Sequence, residues 1–376
     1  MRTHKIEHAP MVRLGELIEL CDERNSEGKY GIDDVRGMTI SKEIISTKAD
    51  IKDTDLSKFY IVYPNEFIYN PRTHGKKIGL GFNNSLKPIL ISWNNTAFKV
   101  KDIEKVEPTY LYMIFNREEW DREACYNSWG SSTVVFAWED LCNMKIPLPS
   151  IETQKELVAV YNGLKELAEE NEKLLEPLEE SCQVFIVDCK KKYPMKKLGD
   201  MIEEVDIKNS DNKIKAVKSV SITKEFKETG AKVNKDELSG YKLVPPRHLS
   251  YVQTTKNEKC FANALNTSNE TYVVTSVNKV IKSKDENILD IGYLHLFLRR
   301  EEFDRYAIFN SWGSAREIFA YDDLCDVQIP LPPLEIQQKI VDLYNCYEEC
   351  KRISTTAREK IKNLCPALVQ KAAHSE

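Results

Sequence analysis

Tyr126-Asn127-Ser128-Trp129-Gly130-Ser131, followed by Ile146-Pro147-Leu148-Pro149 and Gln154, returns in the same chain as Phe309-Asn310-Ser311-Trp312-Gly313-Ser314, Ile329-Pro330-Leu331-Pro332 and Gln337. Each element recurs 183 positions on. A period that long marks a duplicated domain, because solenoid repeats run to about 20–50 residues. Between Tyr110 and Asn162 about half of the positions are identical at this offset. That stretch is the common framework of two copies.

Upstream the match weakens but keeps its frame. Leu14-Gly15-Glu16 answers to Leu198-Gly199-Asp200, and Ile40-Ser41-Lys42-Glu43 to Ile222-Thr223-Lys224-Glu225; Pro64, Phe67 and Tyr69 answer to Pro246, Leu249 and Tyr251. Each half reads as a globular module of ordinary domain size followed by a helical tail. The expected segments are a module over 1–149, a helix over 150–192, a second module over 193–332 and a second helix over 333–376. The expected fold class is α+β, with two duplicated modules separated by two long helices that form an antiparallel coiled coil with pseudo-twofold symmetry.

With 376 residues, 41% of them hydrophobic, the chain can bury two cores. No apolar run approaches the roughly 18 residues of a membrane span, and Met1-Arg2-Thr3-His4-Lys5 lacks the apolar core of a signal peptide. A cytoplasmic protein with no membrane partner is expected. The ten cysteines are scattered without a Cys-x-x-Cys pair, which predicts reduced core thiols and no metal site. The net charge of −5 is unevenly spread: residues 151–190 hold 4 basic and 10 acidic side chains, whereas 1–150 hold 20 and 22 and 191–333 hold 23 and 21. The modules are nearly neutral, so any nucleic-acid surface must be a local patch.

After Pro149, Leu157, Val160, Leu164, Leu167, Asn171, Leu174 and Leu178 fall at alternating steps of three and four, as do Ile340, Leu343, Tyr347, Cys350, Ser354, Ala357, Ile361, Leu364 and Leu368. This is a heptad seam. The two series share a register, in which Leu157, Leu164, Asn171 and Leu178 correspond to Ile340, Tyr347, Ser354 and Ile361. Polar Asn171 and Ser354 in mid-seam set alignment. A tail of about 40 residues is about 60 Å long, more than one small module covers, which favours packing of the helices on each other over packing of each on its own module. Pro177 and Pro366 should bend or interrupt them.

Inside the modules, Phe59–Tyr63, Pro88–Ser92 and Tyr272–Thr275 read as strands, and 110–122 and 292–306 as helices. Catalytic residues are not evident. Gly79-Leu80-Gly81 and Asn70-Pro71-Arg72-Thr73 are only fragments of methyltransferase motifs and do not recur in the second copy. The six histidines form no nucleophile, base and acid set and no metal spacing.

Two stretches are candidates for DNA contact. The polar loop Arg72-Thr73-His74-Gly75-Lys76-Lys77 follows the Tyr69 strand, and Thr254-Thr255-Lys256-Asn257-Glu258-Lys259 follows the Tyr251 strand. Arg72, Thr73, His74, Lys76, Lys77, Lys256, Asn257 and Lys259 suit phosphate or base-edge contacts; a solvated hairpin tip is the alternative. Asn127, Ser128 and Ser131, with Asn310, Ser311 and Ser314, flank glycines that allow close approach to a phosphate. Trp129 and Trp312 can equally be core anchors.

This order of module and helix, with the Gly-Ser segment, the Ile-Pro-Leu-Pro run and the Gln that opens each helix, resembles the DNA-specificity subunit of type I restriction-modification enzymes over nearly the whole chain. Ser150 departs from the second Pro of the Pro-Leu-Pro-Pro form kept at Pro332-Pro333. The resemblance implies a non-catalytic subunit whose two target-recognition domains read the halves of a split site in double-stranded DNA. It also implies two methyltransferase subunits docked on the coiled coil, with S-adenosylmethionine bound by them, no cofactor on this chain, and cleavage by a motor-nuclease subunit. A stand-alone DNA-binding regulator and a coiled-coil interaction scaffold are the alternatives.

Overall fold

The computed structural model describes residues 9–47, 50–73, 77–130, 134–254, 260–313 and 317–372. The chain divides into two compact units, Met1–Glu170 with Ile353–Glu376, and Asn171–Arg352. Each unit therefore holds a module and part of both long helices.

The first unit is built on a four-stranded antiparallel sheet in the order Ile18–Cys21, Thr96–Val100, Phe67–Tyr69, Leu80–Phe82. Every residue of the last two strands is buried. Phe67 stacks on Phe82 and Phe98 at 4.7 and 5.1 Å between centroids, and meets Phe115 edge-on. The second unit repeats the sheet as Ile202–Glu204, Lys279–Ser283, Leu249–Tyr251, Asn263–Leu265, with Phe261 packed on Tyr251, Phe303 and Phe319. The predicted strands around Ile61, Leu90 and Val273 are present as Tyr60–Val62, Ile89–Ile91 and Tyr272–Val274.

Each predicted module helix is instead a pair, Pro108–Phe115 with Glu118–Tyr126 and Ile291–Leu298 with Glu301–Phe309. Arg117 and Arg300 are extended at the break, so the chain turns there and carries Trp120 and Phe303 back into the cores.

The repeated motifs have structural causes. A Cβ at Gly15 would come within 2.9 Å of the Cys142 Cβ, and one at Gly199 within 2.8 Å of that of Cys325, so glycine and a small thiol meet in both copies. All ten cysteines are free, but only Cys182, Cys189 and Cys365 are buried and Cys346 is exposed. The expectation of core thiols holds fully for those three, while Cys21 packs on a core cluster though partly exposed and Cys142 and Cys325 are also only partly buried.

The Gln of each repeat is wholly buried and joins module to helix. Gln154 accepts from the Glu107 amide (3.0 Å) and donates to the carbonyls of Lys105 (3.0 Å) and Pro149 (2.9 Å). Gln337 does the same with Asp290, Ile288 and Pro332 at 2.8–2.9 Å. The hydroxyls of Tyr110 and Tyr293 donate to the carbonyls of Pro147 and Pro330 at 2.9 Å, which explains the fixed interval between the Tyr and the Ile-Pro-Leu-Pro run. Ser150, where the second copy has Pro333, caps the helix: its Oγ accepts from the Thr153 amide at 3.3 Å.

The long helices are Ile151–Lys192 and Leu334–Ala372. In the first unit Leu157, Val158, Tyr161 and Leu164 from the start of one share a core with Cys365, Leu368, Val369 and Ala372 from the end of the other. In the second unit Ile186 and Cys189 share one with Ile336, Ile340, Val341 and Tyr344. Within each unit the helix segments thus run antiparallel. The seam needs one correction. Leu157, Ile340 and Ser354 are buried and Leu164, Asn171, Leu178, Tyr347 and Ile361 partly so, but Val160, Leu167, Leu174 and Leu364 are exposed. Tyr161, Ala168 and Leu175 turn inward in place of the first three, since the stripe that faces module and partner helix together is wider than a two-stranded seam. Pro177 and Pro366 lie inside helices that do not stop at them. Burial of Cys182 beyond the first, with partial burial of Leu178, and of Cys365 and Val369 around the second offsets a proline cost of about 3 kcal/mol.

Replacing Gln154 or Gln337 by Ala leaves three backbone groups without their partner. Each change is expected to destabilise its unit by about 3 kcal/mol, read as a shift in the urea midpoint. A loss under about 1 kcal/mol would show that water substitutes for the side chain.

Candidate nucleic-acid interface

The polar loop of each copy connects two strands of the four-stranded sheet, Phe67–Tyr69 to Leu80–Phe82 and Leu249–Tyr251 to Asn263–Leu265. Tyr69 pairs with Leu80 and Tyr251 with Asn263, so both loops start from a buried base. His74, Lys76, Ser131, Lys256, Asn257, Lys259 and Ser314 lie outside the described residues. Arg72, Thr73 and Lys77 are described, and Arg72 and Lys77 are exposed.

The loop and the Asn-Ser-Trp-Gly segment, read separately in the sequence, come together. Val135 bridges to Arg72 on one side and to Trp129 on the other. Thr73 donates its amide to Val134 O (3.0 Å), Phe136 to Pro71 O (2.7 Å), and Trp129 and Val135 exchange bonds of 3.0 and 2.9 Å. The second unit repeats this ribbon with Thr254, Ile318 and Trp312, and Phe319 donates to Gln253 O at 2.8 Å. Gly130 (φ 147°) and Gly313 (φ 137°) follow the tryptophans in a conformation that side chains disfavour.

Trp129 is 71% exposed and Trp312 75%, so neither anchors a core. The neighbouring Tyr126 and Phe309, which sequence reasoning passed over, are 82% and 84% exposed. Helical spacing held the signal. Ala124 and Ala307 face inward, and two residues further along is about 200° around the axis. Each ribbon is thus flanked by two outward aromatics at repeat-equivalent positions.

Asn127, Ser128, Asn310 and Ser311 serve the helices. Asn127 Nδ2 and Ser128 Oγ donate to the carbonyls of Glu123 (2.9 Å) and Ala124 (2.7 Å), and Asn310 and Ser311 to those of Tyr306 (2.8 Å) and Ala307 (2.6 Å). These bonds satisfy terminal carbonyls and set where the tryptophan leaves the helix. Among the described residues no group of three His, Cys, Asp or Glu side chains is placed to hold a metal ion, and no helix is long and apolar enough to cross a membrane.

The family pattern of the type I restriction modification DNA specificity domain matches residues 8–180 and again 190–363. The chain belongs to this family. Both matches of the specificity domain run from a module into its helix, in step with the internal repeat. In fold, the chain is similar to the type I restriction-modification system S subunit from M. genitalium, with a TM-score of 0.60 at 10% identity over 99% of this chain and 97% of that one. The HsdS subunit from Thermoanaerobacter tengcongensis aligns over 99% and 98% of the two chains with 17% identity and a TM-score of 0.42. No curated protein matches in sequence.

Trp129→Ala and Trp312→Ala should leave stability within about 0.5 kcal/mol, as for surface positions, while weakening DNA binding by about 1.5–3 kcal/mol, the order of burying one large apolar side chain. Melting curves and electrophoretic titration of each variant check this. A fall of several degrees in melting temperature with DNA affinity intact would make the tryptophans structural.

Proposed function

We propose that this specificity-family chain reads a bipartite site in double-stranded DNA, one half per unit, and delivers partner methyltransferase subunits to it. The carrying observation is the recurrence of one ribbon, with its exposed aromatic pair and adjoining polar loop, in two units whose loop sequences have diverged. Aromatic side chains that pack on base edges or wedge between base steps, and cations that meet phosphate, supply affinity with little sequence preference. Different loops on one frame then supply different base contacts.

In this reading the chain specifies and its partners act. S-adenosylmethionine and the transfer of its methyl group to adenine belong to the methyltransferase subunits, and cleavage to a motor-nuclease subunit. The long helices offer the docking surface. Val160 and Leu167, seven residues apart in the first unit, are exposed, and the sequence over 151–190 carries 10 acidic and 4 basic side chains. An exposed apolar pair at helical spacing beside acidic groups suits an apolar helix with basic flanks.

The test is a graft. Replacing residues 14–146 with the corresponding module of a different family member, in the full chain with its methyltransferase, should change the bases recognised in one half of the methylated site only, as read by methylome sequencing. A change in both halves would mean that the units do not read independently. Absence of methylation at a two-part site with the unaltered chain would refute the reading.

A further inference from the structure

The motif Ile40-Ser41-Lys42-Glu43, repeated as Ile222-Thr223-Lys224-Glu225, has no part in the interface described above. Each copy forms the turn of a hairpin, Arg36–Met38 with Ile44–Ser46 and Lys218–Val220 with Phe226–Glu228. The bonds are the same in both. Thr39 and Ser221 donate to the carbonyls of Glu43 and Glu225, and the amides of Lys42 and Lys224 donate back to Thr39 and Ser221, at 3.0–3.1 Å. The lysine sits in the left-handed region each time, at φ 64° and 62°, where a side chain with a Cβ is strained.

Both lysines are buried, and each reaches a carboxylate on the helix that leads into the exposed tryptophan. Lys42 Nζ lies 2.8 and 2.7 Å from the two oxygens of Asp121. Lys224 Nζ lies 2.6 Å from Asp304 and also donates to the carbonyls of Leu298 and Arg299. Burial pulls both ammonium groups below the usual lysine range, and the bonds to aspartate work against that pull. The carboxylate has a second task. Asp121 accepts from the Ile78 amide at 3.4 Å and Asp304 from the Phe261 amide at 2.8 Å, where the polar loop of each copy rejoins the sheet. One carboxylate therefore ties together the hairpin turn, the returning end of the loop and the helix ahead of Trp129 or Trp312.

We infer that Lys42–Asp121 and Lys224–Asp304 are positioning pairs for base reading, each setting the loop and tryptophan of its own unit against one half of the DNA site. An apolar contact of equal volume would stabilise these segments as well or better. It would not fix their direction, whereas charge-assisted bonds at set distances do. The inference rests on the proposed bipartite reading.

Asp121→Asn keeps an acceptor for the Ile78 amide but removes the charge that holds Lys42; Asp304→Asn does so in the other unit. In the full chain with its methyltransferase, Asp121→Asn should lower discrimination in one half of the site about tenfold and leave the other half intact. Asp304→Asn should do the reverse. Amide hydrogen exchange should quicken at Ile78 in the first variant and at Phe261 in the second, with or without DNA. The Lys42→Met/Asp121→Leu double variant, which carries no unpaired charge, should melt cooperatively and still lose discrimination in that one half. Unchanged discrimination in a folded variant, or equal loss in both halves, overturns the inference. So does failure of both the single and double variants to fold, which assigns the pair to the fold alone. A wild-type complex without a two-part preference refutes the bipartite reading itself, whatever the variants do.

Discussion

The buried glutamine at the head of each long helix is the constraint on which the rest of each unit depends. Gln154 and Gln337 have no exposed surface, and each satisfies backbone groups from the loop ahead of the first module helix and from the proline run ahead of the long helix. Backbone groups in such a place must be paired, because an orphaned one costs about as much as a lost hydrogen bond. The amide of glutamine both donates and accepts, so one side chain meets three needs. Leucine or glutamate would not. Module and helix are joined here as one body rather than by a linker.

From that junction the architecture builds outward in the same sequence in both units. The hydroxyl of Tyr110 or Tyr293 fastens the proline run, the paired helices bring Trp120 or Phe303 into the core, and the second helix of each pair ends in the Asn-Ser cap that releases an exposed tryptophan. The carboxylate of Asp121 or Asp304 then connects this helix to the hairpin turn and to the loop's return. Asn127, Ser128, Asn310 and Ser311 each donate to a helix carbonyl, and the aromatics beside them face solvent.

The uneven charge along the chain fits this division of roles. Near-neutral modules limit non-specific attachment, since electrostatic attraction to phosphate is sequence-independent. The acidic stretch over 151–190 lies on a long helix instead, together with the exposed Val160 and Leu167.

By itself the sequence determined the duplication, its offset, the α+β class and the two long helices, because repeated identities and heptad spacing are properties of one chain read in order. It also identified the Gly-Ser segment and the polar loop as distinct features, though not as neighbours. Only tertiary structure decided what depends on contacts between segments far apart in the chain. Val135 bridges Arg72 to Trp129 across some sixty residues of sequence, and Lys42 finds Asp121 across 79, distances that no local pattern encodes. The inward face of each long helix was undecided for a related reason. Heptad spacing marks a stripe of residues, but Tyr161, Ala168 and Leu175 turn inward where Val160, Leu167 and Leu174 are exposed, and Tyr161 does so against Tyr112 of the module.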